Sequence, residues 1–190
     1  MNKMKTYKTV KRKTQMNRYA PRDLVFSMLK TLTLLVFLEI ITSAVFPALG
    51  LVSFKPEFNI LIVLYLAFKL DDPTLPILIL ITQIIHGGFT IEGWAIGTFA
   101  GVLVSLSVRY VKDMLDFSTG ITTMIVIQVS QFIWYLFTTT FISIKISSFE
   151  NFIHLMWQSF PESIFISISS PIFFALLDRF WISRQSSQRI

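Results

Sequence analysis

Glu39 sits near the middle of an apolar run, Thr31 to Leu49, where an ionisable side chain is costly enough to call for a reason. Such a group serves either as half of a polar clasp or as a station for a proton or ion. The nearest candidates for a clasp are the amides of Gln128 and Gln131 and the hydroxyl of Tyr135, which share one face of a later apolar run at helical spacing. A protonated Glu39 would hydrogen-bond to any of them. A relay needs a chain of titratable groups, and the sequence offers His86 at the end of another run plus scattered Ser and Gln. The clasp is the stronger reading.

Ser163, Ser167 and Ser170 fall on one stripe of the last apolar run, with Glu162 at its outer end and Pro171 midway. The stripe could line a polar groove. Serines in membrane helices more commonly bond the preceding turn and satisfy carbonyls freed by a proline, and that is the reading favoured here. The chain has no Cys and two His, His86 and His154, in different segments, so thiol nucleophiles, disulfides and Cys/His metal sites are excluded by composition. No Gly-flanked Ser nucleophile, HExxH helix or repeated aspartate pattern occurs. The expectation is a protein that is not an enzyme and needs no cofactor or metal. Asp71 and Asp72 precede Pro73 and read as a tight turn. Gly93, Gly97 and Gly101 recur every four residues and are followed by Ser105, a small-residue strip that lets another helix approach closely. It is expected to pack within the bundle in preference to a partner, and in either case away from lipid. Gly97→Leu should disrupt it, whereas Asp72→Asn should matter little.

The elements that must carry these residues are membrane helices. Hydrophobic residues make up 53% of the 190, with 19 Phe, and the 15% that are charged sit in a few clusters. A bilayer core of about 30 Å calls for roughly 20 apolar residues per helix. Four runs qualify: Thr31 to Leu49, Trp94 to Val108, Gly120 to Ile144 and Pro161 to Ile182. Two more, Phe58 to Phe68 and Leu75 to Ile85, are short and flank Lys69-Leu70-Asp71-Asp72-Pro73, which no single helix carries through hydrocarbon. They predict a helical hairpin, either two thin or tilted spans or a re-entrant pair. The fold class is thus an all-α polytopic bundle of about six transmembrane helices. Threaded this way, 15 of the 17 Lys and Arg fall on one side, with Lys55 and Lys145 opposite. The positive-inside rule makes that side cytoplasmic and puts both termini there. Residues 1–23 hold eight Lys or Arg against one Asp and read as a solvated basic tail that fixes topology, with nucleic-acid binding not expected. Residues 24–182 form the membrane domain, and 183–190 a short cytoplasmic end. Trp94, Trp134, Tyr135, Trp157 and Trp181 are expected near span ends as interface anchors.

Two segments resemble a known family. Phe54-Lys55-Pro56-Glu57-Phe58-Asn59, leading into an apolar run to Tyr65, is similar to the opening signature of the bacterial rod shape-determining protein MreD. Phe160-Pro161-Glu162-Ser163, continuing through Ser170-Pro171 to Leu177-Asp178-Arg179, resembles that family's final helix and basic exit. A Gly-rich turn with a Gly-led helix, His86 to Gly101, follows in the family's order, although many relatives carry an aspartate where this chain has Gln83 and His86. The resemblance spans about residues 31 to 182. It implies a non-enzymatic scaffold subunit of the inner membrane that supports cell shape and lateral peptidoglycan synthesis. The partners it implies are the lipid bilayer, MreC and, through MreC, MreB and a peptidoglycan glycosyltransferase/transpeptidase pair. The rival class is the substrate-binding membrane subunit of an energy-coupling vitamin transporter. That reading needs Glu57, Asn59, His86, Glu92, His154 and Glu162 to converge on one enclosed pocket.

Overall fold

Six helices form among the described residues, which are 21–51, 54–70, 73–90, 93–112, 120–146, 148–150 and 152–181 of the computed structural model. Helix α1 (Pro21–Ala48) opens on a proline, whose missing N–H is no loss at the first helical position, and carries Asp23 in its positive first turn. It starts ten residues before the apolar run at Thr31, because the amphipathic stretch between the two packs against the end of the last helix. Near its far end a π turn, Ile41–Val45, is inserted, with Phe46 N–H reaching back to Ile41 O. The wide turn falls between Glu39 and Pro47, where a regular ladder would already lack the Pro47 donor. Gly50, at φ +80°, then turns the chain away.

The remaining helices are α2 (Phe58–Lys69), α3 (Leu75–Gly87), α4 (Trp94–Lys112), α5 (Gly120–Ile146) and α6 (Phe152–Phe180). By length and apolar composition α1, α5 and α6, at 28, 27 and 29 residues, are able to cross a membrane. The other three are shorter apolar helices. Helix α4 joins this group, contrary to the sequence expectation, because its apolar stretch ends at Tyr110 and Arg109 and Lys112 occupy its last turn. Helix α6 begins at Phe152, nine residues before the expected start at Pro161. Both Pro161 and Pro171 therefore lie inside one helix.

The short hairpin holds the main surprise of the fold. Every residue of α2 from Asn59 to Ala67 is buried, so the helix has no outward face. It packs against α1, α3, α4, α5 and α6 and forms the axis of the bundle. Its 12 residues rise only about 18 Å, well short of a hydrocarbon core. That length is tolerable because protein, not lipid, surrounds it. The side chains facing outward are apolar instead, at Phe37 and Ile40 of α1, Ile125, Val129 and Phe132 of α5, and Ile168 and Ile172 of α6. Buried positions include Glu39, Asn59, Gln83, His86 and Gln131. An apolar perimeter around a core containing polar groups is the pattern of a protein dissolved in lipid. The chain is a membrane protein with several apolar helices.

Candidate functional site

Glu39 finds a partner, but not the expected one. Its Oε1 lies 2.6 Å from His86 Nδ1, joining α1 to the C-terminal turn of α3, and both residues are at least 95% buried. The two atoms share one short hydrogen bond, buried where a polar contact is stronger than in water. Thr42 Oγ1 donates to Glu39 O at 3.1 Å, at the start of the π turn, and fixes the backbone beneath the carboxylate. Gln128, Gln131 and Tyr135 belong elsewhere. Gln128 Nε2 donates to Ser163 Oγ at 2.9 Å and its Oε1 accepts from Ser167 Oγ at 2.8 Å, while Gln131 Nε2 donates to Ser167 Oγ at 3.0 Å. These bonds lace α5 to α6, and Tyr135 is buried on the same face of α5. Glu39 meets α3 instead of α5 because spacing within α5 says nothing about which neighbour that face meets.

One turn before His86 on α3, Gln83 is fully buried and its Oε1 accepts from Asn59 Nδ2 of α2 at 3.3 Å. Asn59 Oδ1 and Gln83 Nε2 have no partner among the described residues. Gly97 of α4 makes this arrangement possible, since a Cβ there would overlap Gln83 Oε1. At Gly101 a Cβ would come within 2.9 Å of Ile79 Cγ2 and 3.2 Å of the Trp134 ring. Two members of the strip are thus filled by the chain's own α3 and α5. Ser105 is buried and back-bonds to Val102 O at 2.8 Å. Gly93 differs: it precedes α4 with φ +80° and open space around it, so it serves the turn and not helix packing.

The two segments carrying the family resemblance meet in the fold. Lys55 N–H donates to Glu162 Oε1 at 2.8 Å, and Lys55 Nζ donates to Phe89 O at 2.7 Å, tying the loop before α2 to α6 and to the α3–α4 connection. Phe54 packs edge-on to Phe165 at 5.5 Å, and Phe58 stacks on Phe173 at 5.9 Å. Pro56 is buried and Glu57 half-buried beside them. At the other end of α2, Asp178 Oδ1 accepts from Tyr65 OH at 2.9 Å and from Lys69 Nζ at 2.6 Å. Pro171 removes the donor that Ser167 O would have received, and Ser170 Oγ replaces it at 2.7 Å. Ser163 and Ser170 thus bond the preceding turn, whereas Ser167 bonds across to Gln128 of α5.

Asp178 was missed by sequence reasoning, although Tyr65 and Lys69, four apart, both point to a shared acceptor beside α2. The tryptophans split. Trp94 and Trp157 are exposed as anchors would be, whereas Trp134 and Trp181 are core residues and Tyr135 is buried with them. Trp181 Nε1–H donates to Thr31 Oγ1 at 2.9 Å, which satisfies its one polar atom. The Asp71-Asp72 pair, Glu92 and the two termini, residues 1–20 and 182–190, lie outside the described residues.

Chemically, the Glu39–His86 pair is a single acid–base couple joining α1 to α3, and the Asn59–Gln83 pair joins α2 to the same helix one turn earlier. The arrangement acts as a clamp. It fixes α1, α2 and α3 against one another at one level, as the Gln–Ser ladder fixes α5 to α6. Among the described residues no three His, Cys, Asp or Glu side chains come together as a metal site. No family model, curated protein or solved structure matches the chain.

Proposed function

We propose that this chain is a non-enzymatic scaffold subunit of the bacterial inner membrane, similar to MreD, that supports side-wall elongation with both termini in the cytoplasm. The observation that carries the reading is the junction of the two resembling segments. Phe54 to Tyr65 and Phe160 to Arg179 are separate in sequence, yet they run side by side from the Lys55–Glu162 contact to the Tyr65–Asp178 contact. Two motifs that form one structural unit are less easily a coincidence of apolar composition than two isolated ones. Partners in this reading are MreC and, through it, MreB and the glycosyltransferase/transpeptidase pair.

The polar groups support a scaffold over a small-molecule carrier. A carrier needs convergent polar side chains turned toward an empty pocket. Here Asn59 Nδ2 is bonded to Gln83 Oε1, His86 to Glu39, and Glu162 to the Lys55 backbone, in three separate contacts. His154 is exposed on α6. Polar bonds between helices stiffen a bundle and fix the faces it offers to partner helices.

The test is depletion of the protein in its own bacterium, following cell width and fluorescently labelled side-wall peptidoglycan over several generations. Rounding with loss of lateral insertion is the expected result. Normal shape accompanied by a vitamin or solute requirement would replace the scaffold with the carrier.

A further inference from the structure

At the end of the bundle where α1 begins and α6 finishes, a cleft of about 750 Å³ opens between the two helices. Arg22 and Lys30 of α1 and Arg179 of α6 line it, against one acid, Asp23. Asp178, next to Arg179, is committed to Tyr65 and Lys69 and does not line the cleft. The floor is rigid: Ser27 Oγ donates to Phe180 O at 2.9 Å, and one turn deeper Trp181 Nε1–H donates to Thr31 Oγ1 at 2.9 Å. The wall is apolar and exposed, with Phe26 59% and Leu29 60% accessible.

The cations are arranged by the helix. A helical side chain leans toward the N-terminus, so Lys30 reaches back over Phe26, with Nζ 4.5 Å from the ring centroid. Its charge therefore rises toward Arg22 and the open end of the cleft, while Phe26 and Leu29 continue the lipid-facing surface below.

We propose that this cleft is a binding site for an anionic phospholipid, with the phosphate held among Arg22, Lys30 and Arg179 and an acyl chain along Phe26 and Leu29. Three cations and one acid leave a net charge of +2, which a zwitterionic headgroup does not neutralise. A free phosphate would leave the apolar wall without an occupant. The inference rests on the chain being embedded in a bilayer and is independent of the scaffold reading, so a negative depletion experiment leaves it standing.

The test is native mass spectrometry of the full chain in detergent micelles doped with phosphatidylglycerol or phosphatidylethanolamine. Wild type should retain phosphatidylglycerol in preference. Arg22→Gln with Arg179→Gln should lower that retention on the order of 10-fold, from the usual attraction of basic residues to anionic lipid. Both side chains are exposed, so the fold should survive. Removing the same number of charges from the tail, Lys5→Gln with Lys8→Gln, should change retention by less than about twofold, since the proposal assigns the phosphate to Arg22, Lys30 and Arg179. Excess inorganic phosphate should leave the lipid bound. Equal retention of the two lipids, a tail variant as weak as the cleft variant, or displacement by inorganic phosphate would each overturn the proposal.

Discussion

Replacing Gly97 by alanine should destabilise the protein in a way that depends on one other residue, Gln83. The new Cβ falls on Gln83 Oε1, and that side chain is fully buried and engaged by Asn59 at 3.3 Å. To make room, the amide must move and lose its bond. Overpacking costs about 1–3 kcal/mol, and a buried polar pair left open costs about 1–3 kcal/mol more. Against this, alanine gains about 1 kcal/mol over glycine in a helix interior. The balance is a loss of about 1–5 kcal/mol. In a Gln83→Ala background the obstructing atom is gone, so the same Gly97→Ala change should be neutral or stabilising by up to about 1 kcal/mol. Equilibrium unfolding of the four variants in mixed micelles, followed by tryptophan fluorescence, yields the coupling energy directly. Equal costs in the two backgrounds, to within about 0.5 kcal/mol, would refute the assigned contact.

Three further outcomes follow from the same structure. Glu39→Leu should cost about 3–5 kcal/mol by leaving His86 buried without its partner, and adding His86→Leu should recover most of that, measured by the same unfolding assay. Asp178→Asn should cost less than about 1 kcal/mol, because its pair with Lys69 is well exposed; a larger loss would mean the Tyr65 bond dominates. The chain has no native Cys, so single cysteines report accessibility without a background. Cysteines at Ile60 through Ala67 should resist lipid-phase thiol reagents on every face of α2, whereas those at Ile125, Val129 and Phe132 of α5 should label; labelling anywhere along α2 would contradict its place on the bundle axis.

The helical, membrane-embedded character of this protein was written in the sequence. Long apolar runs broken by charge and proline force helices in lipid, because no other local structure satisfies the backbone there. The serine beside Pro171 and the packing of Gly97 and Gly101 were also legible, since both are effects within a helix or over the close approach of two. Partnership across the bundle was not. Glu39 could have met any polar face, and it met His86, 47 residues away, because the short hairpin places α3 beside α1. The same hairpin looked like the weakest part of the chain. Its shortness rules it out as a lipid-facing span but not as an enclosed one, and only the assembled bundle could decide that five other helices would close around α2. Periodicity records how many faces of a helix are apolar. What lies against each face is fixed by packing among all the helices at once.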